Sequence, residues 1–307
     1  MNGQLNNYTT HLLDESIHNG VPKRYYNIRD KKFDEWEIPP WELFIFSDRL
    51  IGEGAFSKVY LAKWRETFVV AKVFKQETQI LKKQLILREI DTMTRLHHPN
   101  ITQFLGYIHE PFIIVLEYIP NKNLEDNLNK ISKSQKHKIV KDILQGLAYI
   151  HNRQPESLIH RDIKLSNILL TNSKVAKIAD FGLSRFYNLT KIKKNTEIEI
   201  VDISNNPETN NTYIDLNNEL TNYVGTARYM APEIRLNNGY TNKIDIYACG
   251  IVFYEMFENK RYQPSRGFEW FWTPKKIKNI IRNHMICNNP SDRLGAMQIL
   301  KILNQKY

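Results

Sequence analysis

The spacing of the hydrophobic residues changes near Pro120 and divides the chain into a strand-rich part and a helix-rich part. Before Pro120, apolar residues form short runs separated by turn-sized gaps, at positions 43–45, 50–51, 59–61, 68–71, 103–106 and 112–119. Such runs predict the strands of an antiparallel meander. Within residues 79–96 the apolar side chains recur at helical spacing, at Ile86, Ile90, Met93 and Leu96. The first part is therefore expected to be a small antiparallel β-rich unit with one helix.

After Pro120 the apolar residues recur at the spacing of helices. One amphipathic face is formed by Ile139, Ile143, Leu147 and Ile150, and further faces lie within 277–285 and 299–303. Residues 245–257 are apolar nearly all round, which predicts a buried helix. The predicted fold class is α+β, with a small β-rich lobe followed by a larger, mainly helical lobe.

Two polar segments lack this periodicity. Residues 1–42 mix charges and contain the pair Pro39 and Pro40, so we expect an N-terminal extension that is partly disordered. The segment from about 188 to 222 is rich in asparagine and carries Asp and Glu against Lys. We expect it to be a long flexible insertion.

The residues with the clearest chemistry lie in two motifs, HRDIKLSN at positions 160–167 and DFG at 180–182. They place the carboxylate of Asp162, Lys164, the amide of Asn167 and a second carboxylate, Asp180, at the spacing that phosphoryl transfer needs. In that reaction a carboxylate accepts the proton of the attacking hydroxyl, and oxygen ligands hold Mg²⁺ against the phosphates. One Asp-Phe-Gly tripeptide arises easily by chance. Two ordered motifs, each flanked by apolar runs, are a specific signal.

A glycine-rich turn and a strand lysine precede these motifs. The turn, GEGAFSKV at positions 52–59, lies between two predicted strands and by itself is equally a tight structural hairpin. A dinucleotide-binding loop would instead lead from a strand into a helix. Glycines here let backbone N–H groups approach phosphate oxygens closely. Lys72 ends an apolar strand and needs an anionic partner, for which Glu77, Glu89 and Glu110 are the candidates.

Together with VAK at 70–72 and GTARYMAPE at 225–233, these motifs resemble the eukaryotic protein kinase family over residues 43–303. The resemblance implies a bilobal fold, with an N-lobe at 43–119 and a C-lobe at 120–303. Lys164 and Thr226 are similar to the serine/threonine type. The segments 37–43 and 64–72 resemble the tyrosine-kinase-like group. The chain departs from the family pattern at Ser57, which stands where the family has its third glycine and stiffens the turn.

The resemblance implies a role for each motif. Asp162 would be the catalytic base, Lys164 would balance charge on the moving phosphoryl group, and Asn167 and Asp180 would bind Mg²⁺. Glu89 is preferred as the partner of Lys72, because the sequence LHHPNI at 96–101 sets its register as in the family. The residues expected to bind ATP are Ile51, Gly52, Glu53, Gly54, Ala55, Phe56, Ser57, Val59, Ala71, Lys72, Glu89, Leu116, Glu117 and Leu169.

The same resemblance implies contacts away from the phosphates. Glu233 should pair with a buried Arg293, and Asp245 should accept hydrogen bonds from the backbone of the catalytic loop, residues 160–167. An apolar column should be formed by Met93, Phe104, His160 and Phe181. Core packing is a complete alternative account of such apolar residues.

Regulation by phosphorylation is a further expectation of the resemblance. Arg161 and Arg185 match the basic residues that receive a phosphorylated activation segment, although each could equally be a solvated arginine. If the chain is switched in this way, Thr221 is the first candidate phosphosite. Constitutive activity without a switch is the alternative.

The function expected is that of an ATP- and Mg²⁺-dependent serine/threonine protein kinase. Its expected partners are protein substrates and, if it is switched, an upstream kinase. One alternative is a catalytically weak pseudokinase scaffold, which usually lacks the lysine, the base or a metal ligand; none is lost here. The other is a dual-specificity kinase or a small-molecule phosphotransferase. Residues 225–233, which resemble the substrate-docking loop of the family, argue for protein substrates.

Composition adds limits to this interpretation. The chain has 307 residues, a formal charge of +10 and 42% hydrophobic residues. Its two cysteines, Cys249 and Cys287, form no metal-binding or disulfide pattern, so we expect an intracellular, cytoplasmic protein. No signal peptide or membrane-spanning run is apparent. The basic residues are dispersed, which argues against dedicated nucleic-acid binding.

Overall fold

The computed structural model describes residues 34–187, 227–236 and 239–305, which belong to two compact units. The first unit contains the described residues up to Leu96 together with Gln103–Tyr118. The second contains His97–Thr102 and the described residues from Ile119 onward. In the ranges that the structure describes, no helix combines the length and the apolar content that crossing a bilayer requires.

The first unit is built on a five-stranded antiparallel sheet. Its strands are β1 (Leu43–Glu53), β2 (Ser57–Trp64), β3 (Thr67–Phe74), β4 (Phe104–Ile108) and β5 (Ile113–Glu117). Their order is β1-β2-β3-β5-β4. The sheet is therefore antiparallel as predicted, but its last hairpin is reversed relative to a simple meander. Alternate residues of the strands, such as Val69 and Ala71 in β3, are buried in the core.

The single helix predicted within residues 79–96 is two consecutive helices in the structure, α1 (Gln76–Leu81) and α2 (Lys83–Thr94). They are separated at Lys82, whose backbone angles of φ −128° and ψ 27° lie outside the helical region. The buried face of α2 carries Ile86, Ile90 and Met93, as the periodicity predicted, and it also buries Glu89. A charged residue on an apolar face needs a specific partner.

The residues just before β1 are part of the first unit's core. Two short 3-10 turns, Asp34–Trp36 and Pro40–Glu42, flank Ile38, whose side chain is only 3% exposed. The amide of Ile38 donates to the carbonyl of Tyr107 in β4 at 2.8 Å. A Cβ at Gly106 of the same strand would lie 2.6 Å from the Trp36 carbonyl oxygen, so glycine is needed for this close approach. The start of the kinase domain at residue 43 stays a prediction. The packed core of the first unit, however, already includes Ile38.

The second unit is mainly helical. Its helices are α3 (Lys133–His151), α4 (Pro232–Arg235), α5 (Lys243–Glu258), α6 (Lys275–His284) and α7 (Ala296–Asn304). Two small two-stranded antiparallel sheets pair β6 (Ser157–Ile159) with β9 (Arg185–Tyr187) and β7 (Ile168–Leu170) with β8 (Ala176–Ile178). Helix α5 is buried along almost its whole length, which confirms the buried helix predicted from the run at 245–257. Helix α3 begins at a capping box formed by Ser132 and Gln135.

A buried ion pair links the start of α4 to the segment before α7. The two terminal guanidinium nitrogens of Arg293 donate to the two carboxylate oxygens of Glu233 at 2.6 and 2.8 Å. The remaining donors of Arg293 bind the carbonyls of Cys287, Asn288 and Lys243. Every charge in this pair is therefore matched, which is the condition for an ion pair to be tolerated in a core. The pair expected between these two residues is present.

We predict that Glu233→Ala lowers the free energy of unfolding by about 3–5 kcal/mol, because it leaves the Arg293 charge buried without its counter-ion. Urea denaturation measures the loss. The matched control is Arg65→Ala, which breaks an exposed pair with Glu42 on the first unit and should change stability little. Equal, small losses in both variants would contradict the assigned importance of the buried pair.

Candidate active site

In the first unit, Lys72 of β3 and Glu89 of α2 form a buried ion pair. The ammonium nitrogen lies 2.6 Å from the Glu89 Oε1 atom, and the two side chains are 13% and 8% exposed. Of the three carboxylates that the sequence offered, the structure therefore places Glu89 against Lys72. The pair also explains how α2 tolerates a carboxylate on its buried face. Its electrostatic interaction is stronger than at the surface because water is largely excluded.

The glycine-rich turn connects β1 to β2 and presents its backbone openly. The amide of Gly54 donates to the carbonyl of Ser57 at 2.8 Å, which closes the turn. At Gly52 nothing lies within 4 Å of the position that a Cβ would take, and at Gly54 the nearest atom is the Ser57 carbonyl oxygen at 3.8 Å. The carbonyl of Phe56, within the turn, accepts a hydrogen bond from the Lys75 amide at 3.0 Å. Space above backbone amides is what a polyphosphate requires.

Of the residues expected to bind ATP, Val59, Ala71, Leu116 and Glu117 lie on neighbouring strands of the five-stranded sheet, whereas Leu169 does not. Val59 in β2 is paired with Lys72 in β3, and Ala71 is paired with Val115 in β5. Leu116 and Glu117 end β5, and the carboxylate of Glu117 accepts from the Gln103 amide at 2.7 Å. Leu169 belongs to β7 of the second unit.

In the second unit, the catalytic loop forms a compact network around Asp162. The Asp162 Oδ2 atom accepts from the Lys164 ammonium at 2.6 Å and from the Asn167 side-chain amide at 2.9 Å. The same Asn167 amide donates to the Asp162 carbonyl at 2.9 Å. The structure thus brings three of the sequence-predicted residues into direct contact. In this orientation the amide nitrogen of Asn167 is used within the loop and its oxygen is the end left to bind a cation.

The second oxygen of Asp162 is different. Its Oδ1 atom is buried and has no hydrogen-bond partner among the described residues. Burial raises the pKa of Asp162 above its usual value, the neighbouring Lys164 opposes that rise, and the negative charge of Asp180 adds to it. A buried carboxylate oxygen without a donor has a high affinity for a proton, as a general base requires.

The DFG segment is tied to the catalytic loop through the backbone before it. The Ala179 amide donates to the Asn167 carbonyl at 2.8 Å, and the Ala179 carbonyl lies 3.1 Å from the His160 Nε2 atom. Asp180 has a left-handed φ of 64°, a conformation that aspartate tolerates better than most residues. The buried ring of Phe181 packs against the His160 ring at 4.7 Å between centroids. The other two residues of the expected apolar column, Met93 and Phe104, are buried in the first unit.

The donor set at Asn167 and Asp180 fits Mg²⁺. In the described ranges no group of three or more His, Cys, Asp or Glu could hold a metal ion alone. Mg²⁺ does not need such a cage, because it commonly keeps several waters and takes one or two protein carboxylates plus phosphate oxygens. A carboxylate and an amide oxygen are ligands of that type.

Asp245, at the start of α5, binds the backbone of the catalytic loop through its carboxylate. Its two carboxylate oxygens accept from the amides of His160 and Arg161 at 2.8 and 2.9 Å, and a third donor is the His151 ring at 2.9 Å. Although burial acts to raise it, these donors hold the pKa of Asp245 below its usual value. Arg161 has a left-handed φ of 72°, which is a strained conformation for a side chain of its size. The buried anion therefore fixes the loop in a shape that it would not otherwise prefer.

A second polar network supports the docking loop, residues 225–233, of which the structure describes 227–233. The Tyr229 hydroxyl donates to Glu255 of α5 at 2.6 Å, and the Arg228 guanidinium lies 3.1 Å from the same carboxylate. Burial raises the pKa of Glu255, and burial beside that carboxylate raises the pKa of Tyr229. Sequence reasoning overlooked Glu255 and Arg228. The signal in the sequence was Glu255 itself, the one charged residue within the otherwise apolar run 246–257.

An apolar pocket lies beside Asp162, between the docking loop and α5. It is lined by Arg161, Asp162, Ile163, Tyr229, Met230, Ala231, Ile234, Ile244, Asp245 and Ala248.

The residues expected to take part in regulation are only partly within the ranges that the structure describes. Thr221, Thr226 and the insertion predicted from about 188 to 222 lie outside the described residues, which stop at 187 and resume at 227. Of the two arginines expected to receive a phosphate, Arg161 has its guanidinium 5.7 Å from the ring of Tyr240, and Arg185 donates to the carbonyl of Ser184 at 2.9 Å. Their role in regulation stays a prediction.

Comparisons with known proteins agree with this geometry. The sequence pattern of the protein kinase domain family matches residues 46–303. The chain is 32% identical over 241 residues to the serine/threonine-protein kinase VIK of Arabidopsis thaliana, covering 75% of this chain and 49% of that protein. It is 31% identical to a probable serine/threonine-protein kinase of Dictyostelium discoideum, covering 84% of this chain and 24% of that protein.

A third relative is mitogen-activated protein kinase kinase kinase 7 of Homo sapiens, 26% identical over 305 residues. That alignment covers 92% of this chain and 44% of the relative. The chain thus spans at most about half the length of these relatives. The family match covers most of the chain and contains both motifs of the catalytic network, so the chain belongs to the protein kinase domain family, as its motifs predicted.

Proposed function

We propose that this chain is an ATP-dependent protein kinase that transfers the γ-phosphoryl group of ATP to serine and threonine hydroxyls of proteins. The observation that carries the proposal is the buried Oδ1 atom of Asp162, which has no donor among the described residues, within a loop whose Oδ2 atom is bound by Lys164 and Asn167. The names of the relatives, which are serine/threonine kinases, support the acceptor class. Residues 43–303 are proposed as the kinase domain.

The carboxylate of Asp162 would orient the acceptor hydroxyl and take its proton at Oδ1. The hydroxyl oxygen then forms a bond to the γ-phosphorus as the bond from that phosphorus to the β–γ bridging oxygen breaks, and ADP leaves. Lys164 would place its positive charge beside the transferred group, which carries spread negative charge in the transition state. The hydrogen bond from Asn167 holds the Asp162 side chain in position for this step.

Nucleotide binding is proposed for residues of both units. The backbone of the glycine-rich turn would bind phosphate oxygens, and Lys72, held by Glu89, would bind the α- and β-phosphates. The remaining ATP contacts are proposed for Ile51, Glu53, Ala55, Phe56, Ser57, Val59, Ala71, Leu116, Glu117 and Leu169. Asn167 and Asp180 would hold Mg²⁺, which when bound neutralises phosphate charge and polarises the transferred group.

We predict that Asp162→Asn lowers the rate of transfer about a hundredfold or more, because the amide cannot accept the hydroxyl proton. Radiolabelled ATP and arrayed peptides with serine, threonine or tyrosine acceptors measure the rate and the acceptor class. Serine and threonine products without phosphotyrosine are expected.

The matched control is Asp126→Asn, which removes an exposed carboxylate of the same unit and should leave transfer unchanged. ATP binding should persist in both variants, which separates a lost base from a lost fold. Undiminished transfer by Asp162→Asn would refute the assigned base. Nucleotide binding by the unaltered chain without any transfer would instead indicate a scaffold.

A second prediction concerns pH. The base works only when unprotonated, so activity should be lost as the pH falls through the pKa of Asp162. Because burial raises that pKa, the acidic limb of kcat/KM should lie above the range of an ordinary aspartate. Lys164→Met should move the limb to still higher pH, because the lysine charge opposes the rise. A limb that stays in place or moves to lower pH in that variant would contradict the electrostatic account.

A further inference from the structure

The connection between α5 and α6, residues 259–274, contains no helix or regular strand. Connections longer than about 12–15 residues without secondary structure are uncommon in compact domains and are usually functional or disordered. This one is well fixed. The question is therefore what its fixed conformation presents to solvent.

A single buried carboxylate holds the end of the connection. Glu258, the last residue of α5, accepts from the amides of Phe271, Trp272 and Thr273 at 2.9, 3.0 and 3.0 Å, and from the Thr273 hydroxyl at 2.5 Å. Burial acts to raise the pKa of Glu258, but these donors hold it below its usual value. Three consecutive amides on one anion leave the backbone at 271–273 little freedom.

The middle of the connection is fixed by stacked aromatic rings. Phe268 stacks on Tyr262 at 4.4 Å and on Trp270 at 5.7 Å between centroids. Tyr254 of α5 meets the rings of Phe268 and Trp270 edge-on at 5.1 and 5.0 Å. Its hydroxyl donates to the carbonyl of Glu269 at 3.1 Å. The connection therefore has a small core of its own.

Above this core, two large apolar side chains face solvent. Phe271 and Trp272 are each 71% exposed, more than any other large apolar residue in the ranges that the structure describes. Nothing in folding favours exposing both rings at this point. Aromatic side chains that are exposed on a fixed backbone are typical of binding hot spots, because little further entropy is lost when a partner covers them.

The sequence around these rings is rich in positive charge. Residues 258–278 contain two carboxylates, Glu258 and Glu269, and six cationic side chains, of which Arg261 is paired with Glu125: Lys260, Arg261, Arg266, Lys275, Lys276 and Lys278. Lys260 lies 5.1 Å from the centre of the Phe271 ring and also pairs with Glu269. Arg266 and Lys275 are exposed. A partner that covers the rings would place its own flanking residues in a positive field.

We propose that Phe271 and Trp272, with the half-buried Lys260 and the exposed cations Arg266 and Lys275, form a docking surface for an acidic protein segment that carries an apolar anchor residue. We call these five residues the aromatic platform. The proposal deepens the proposed function, since the segment would belong to a protein substrate or regulator of the kinase. An anionic bilayer is the less favoured occupant, because membrane-bound surfaces of this kind usually lie along an amphipathic helix with a free apolar face. The connection has no helix, and the adjoining α6 buries its apolar residues Ile277, Ile280 and Ile281 within the protein.

The test selects short random peptides displayed on phage against the unaltered chain without nucleotide. Recovered peptides are then titrated with a fluorescent label. We expect peptides that combine Asp or Glu with an aromatic or large aliphatic residue, and an affinity that falls as salt is added. Phe271→Ser/Trp272→Ser should weaken their binding about tenfold or more. Arg266→Glu/Lys275→Glu should weaken it as well.

The matched control is Phe44→Ser/Phe68→Ser, which removes two exposed rings, 52% and 55% exposed, from the first unit. It should bind the peptides normally. The proposal is overturned if the recovered peptides are basic, or if they bind Phe271→Ser/Trp272→Ser as tightly as they bind the unaltered chain. Self-association through these rings in sedimentation, or binding to phosphatidylserine vesicles in place of peptides, would overturn it as well.

The outcome is independent of catalysis, because no nucleotide is present during selection. If the unaltered chain transfers no phosphoryl group but binds the peptides as expected, the proposed function is refuted and the proposal for the aromatic platform stands. Transfer to generic peptides with no platform-dependent binding would refute the platform alone. Both double variants should keep the basal transfer rate to peptides that do not use the platform.

Discussion

The catalytic loop depends on one buried anion, the carboxylate of Asp245. Three donors converge on it, namely the amides of His160 and Arg161 and the ring of His151. Isolated in a core this charge would be costly, but three donors compensate for the lost water. In return, the carboxylate orients the backbone directly before Asp162 and holds Arg161 in a left-handed conformation. A buried residue of the helical unit, Asp245, therefore fixes the position of the proposed base.

Buried carboxylates organise the second unit in the same way at other points. Glu233 holds Arg293, Glu255 holds the docking loop through Tyr229, and Glu258 holds the backbone at 271–273. Helix α5 supplies three of these four anions, Asp245, Glu255 and Glu258. An otherwise apolar helix with a few carboxylates can serve both as the core and as the frame for surface loops, because each charge meets donors from a different segment.

Much of this could be predicted from the sequence. Strand and helix positions followed from apolar spacing, since burial on one face of an element imposes a period on its residues. The motif placed Asp162, Lys164 and Asn167 close together in the chain, and the family resemblance gave each a role, but their mutual hydrogen bonds were first seen in the structure. The family assignment rested on the same motifs, and the fold class that it implied is the one observed.

Other features could not be predicted, because they depend on partners far away in the chain. The burial of Ile38 is set by β4, nearly seventy residues later in sequence order, and the short run around it has no period of its own. The break at Lys82 splits a helix whose apolar positions look continuous. The reversed hairpin of β4 and β5 is a choice of pairing that periodicity does not encode. The roles of Glu255 and Glu258 in α5 could be assigned only once the structure had shown which groups donate hydrogen bonds to them.

The most direct test of this account is amide hydrogen exchange in Asp245→Asn, measured together with phosphoryl transfer. Losing hydrogen bonds to a charged acceptor should speed exchange at His160 and Arg161 by about tenfold to a hundredfold, and transfer should fall although Asp162 is intact. Asp142→Asn is the control, since its carboxylate accepts from the Ala176 amide, away from the catalytic loop. Unchanged exchange at both amides with full transfer in Asp245→Asn would contradict the claim that this anion positions the catalytic loop.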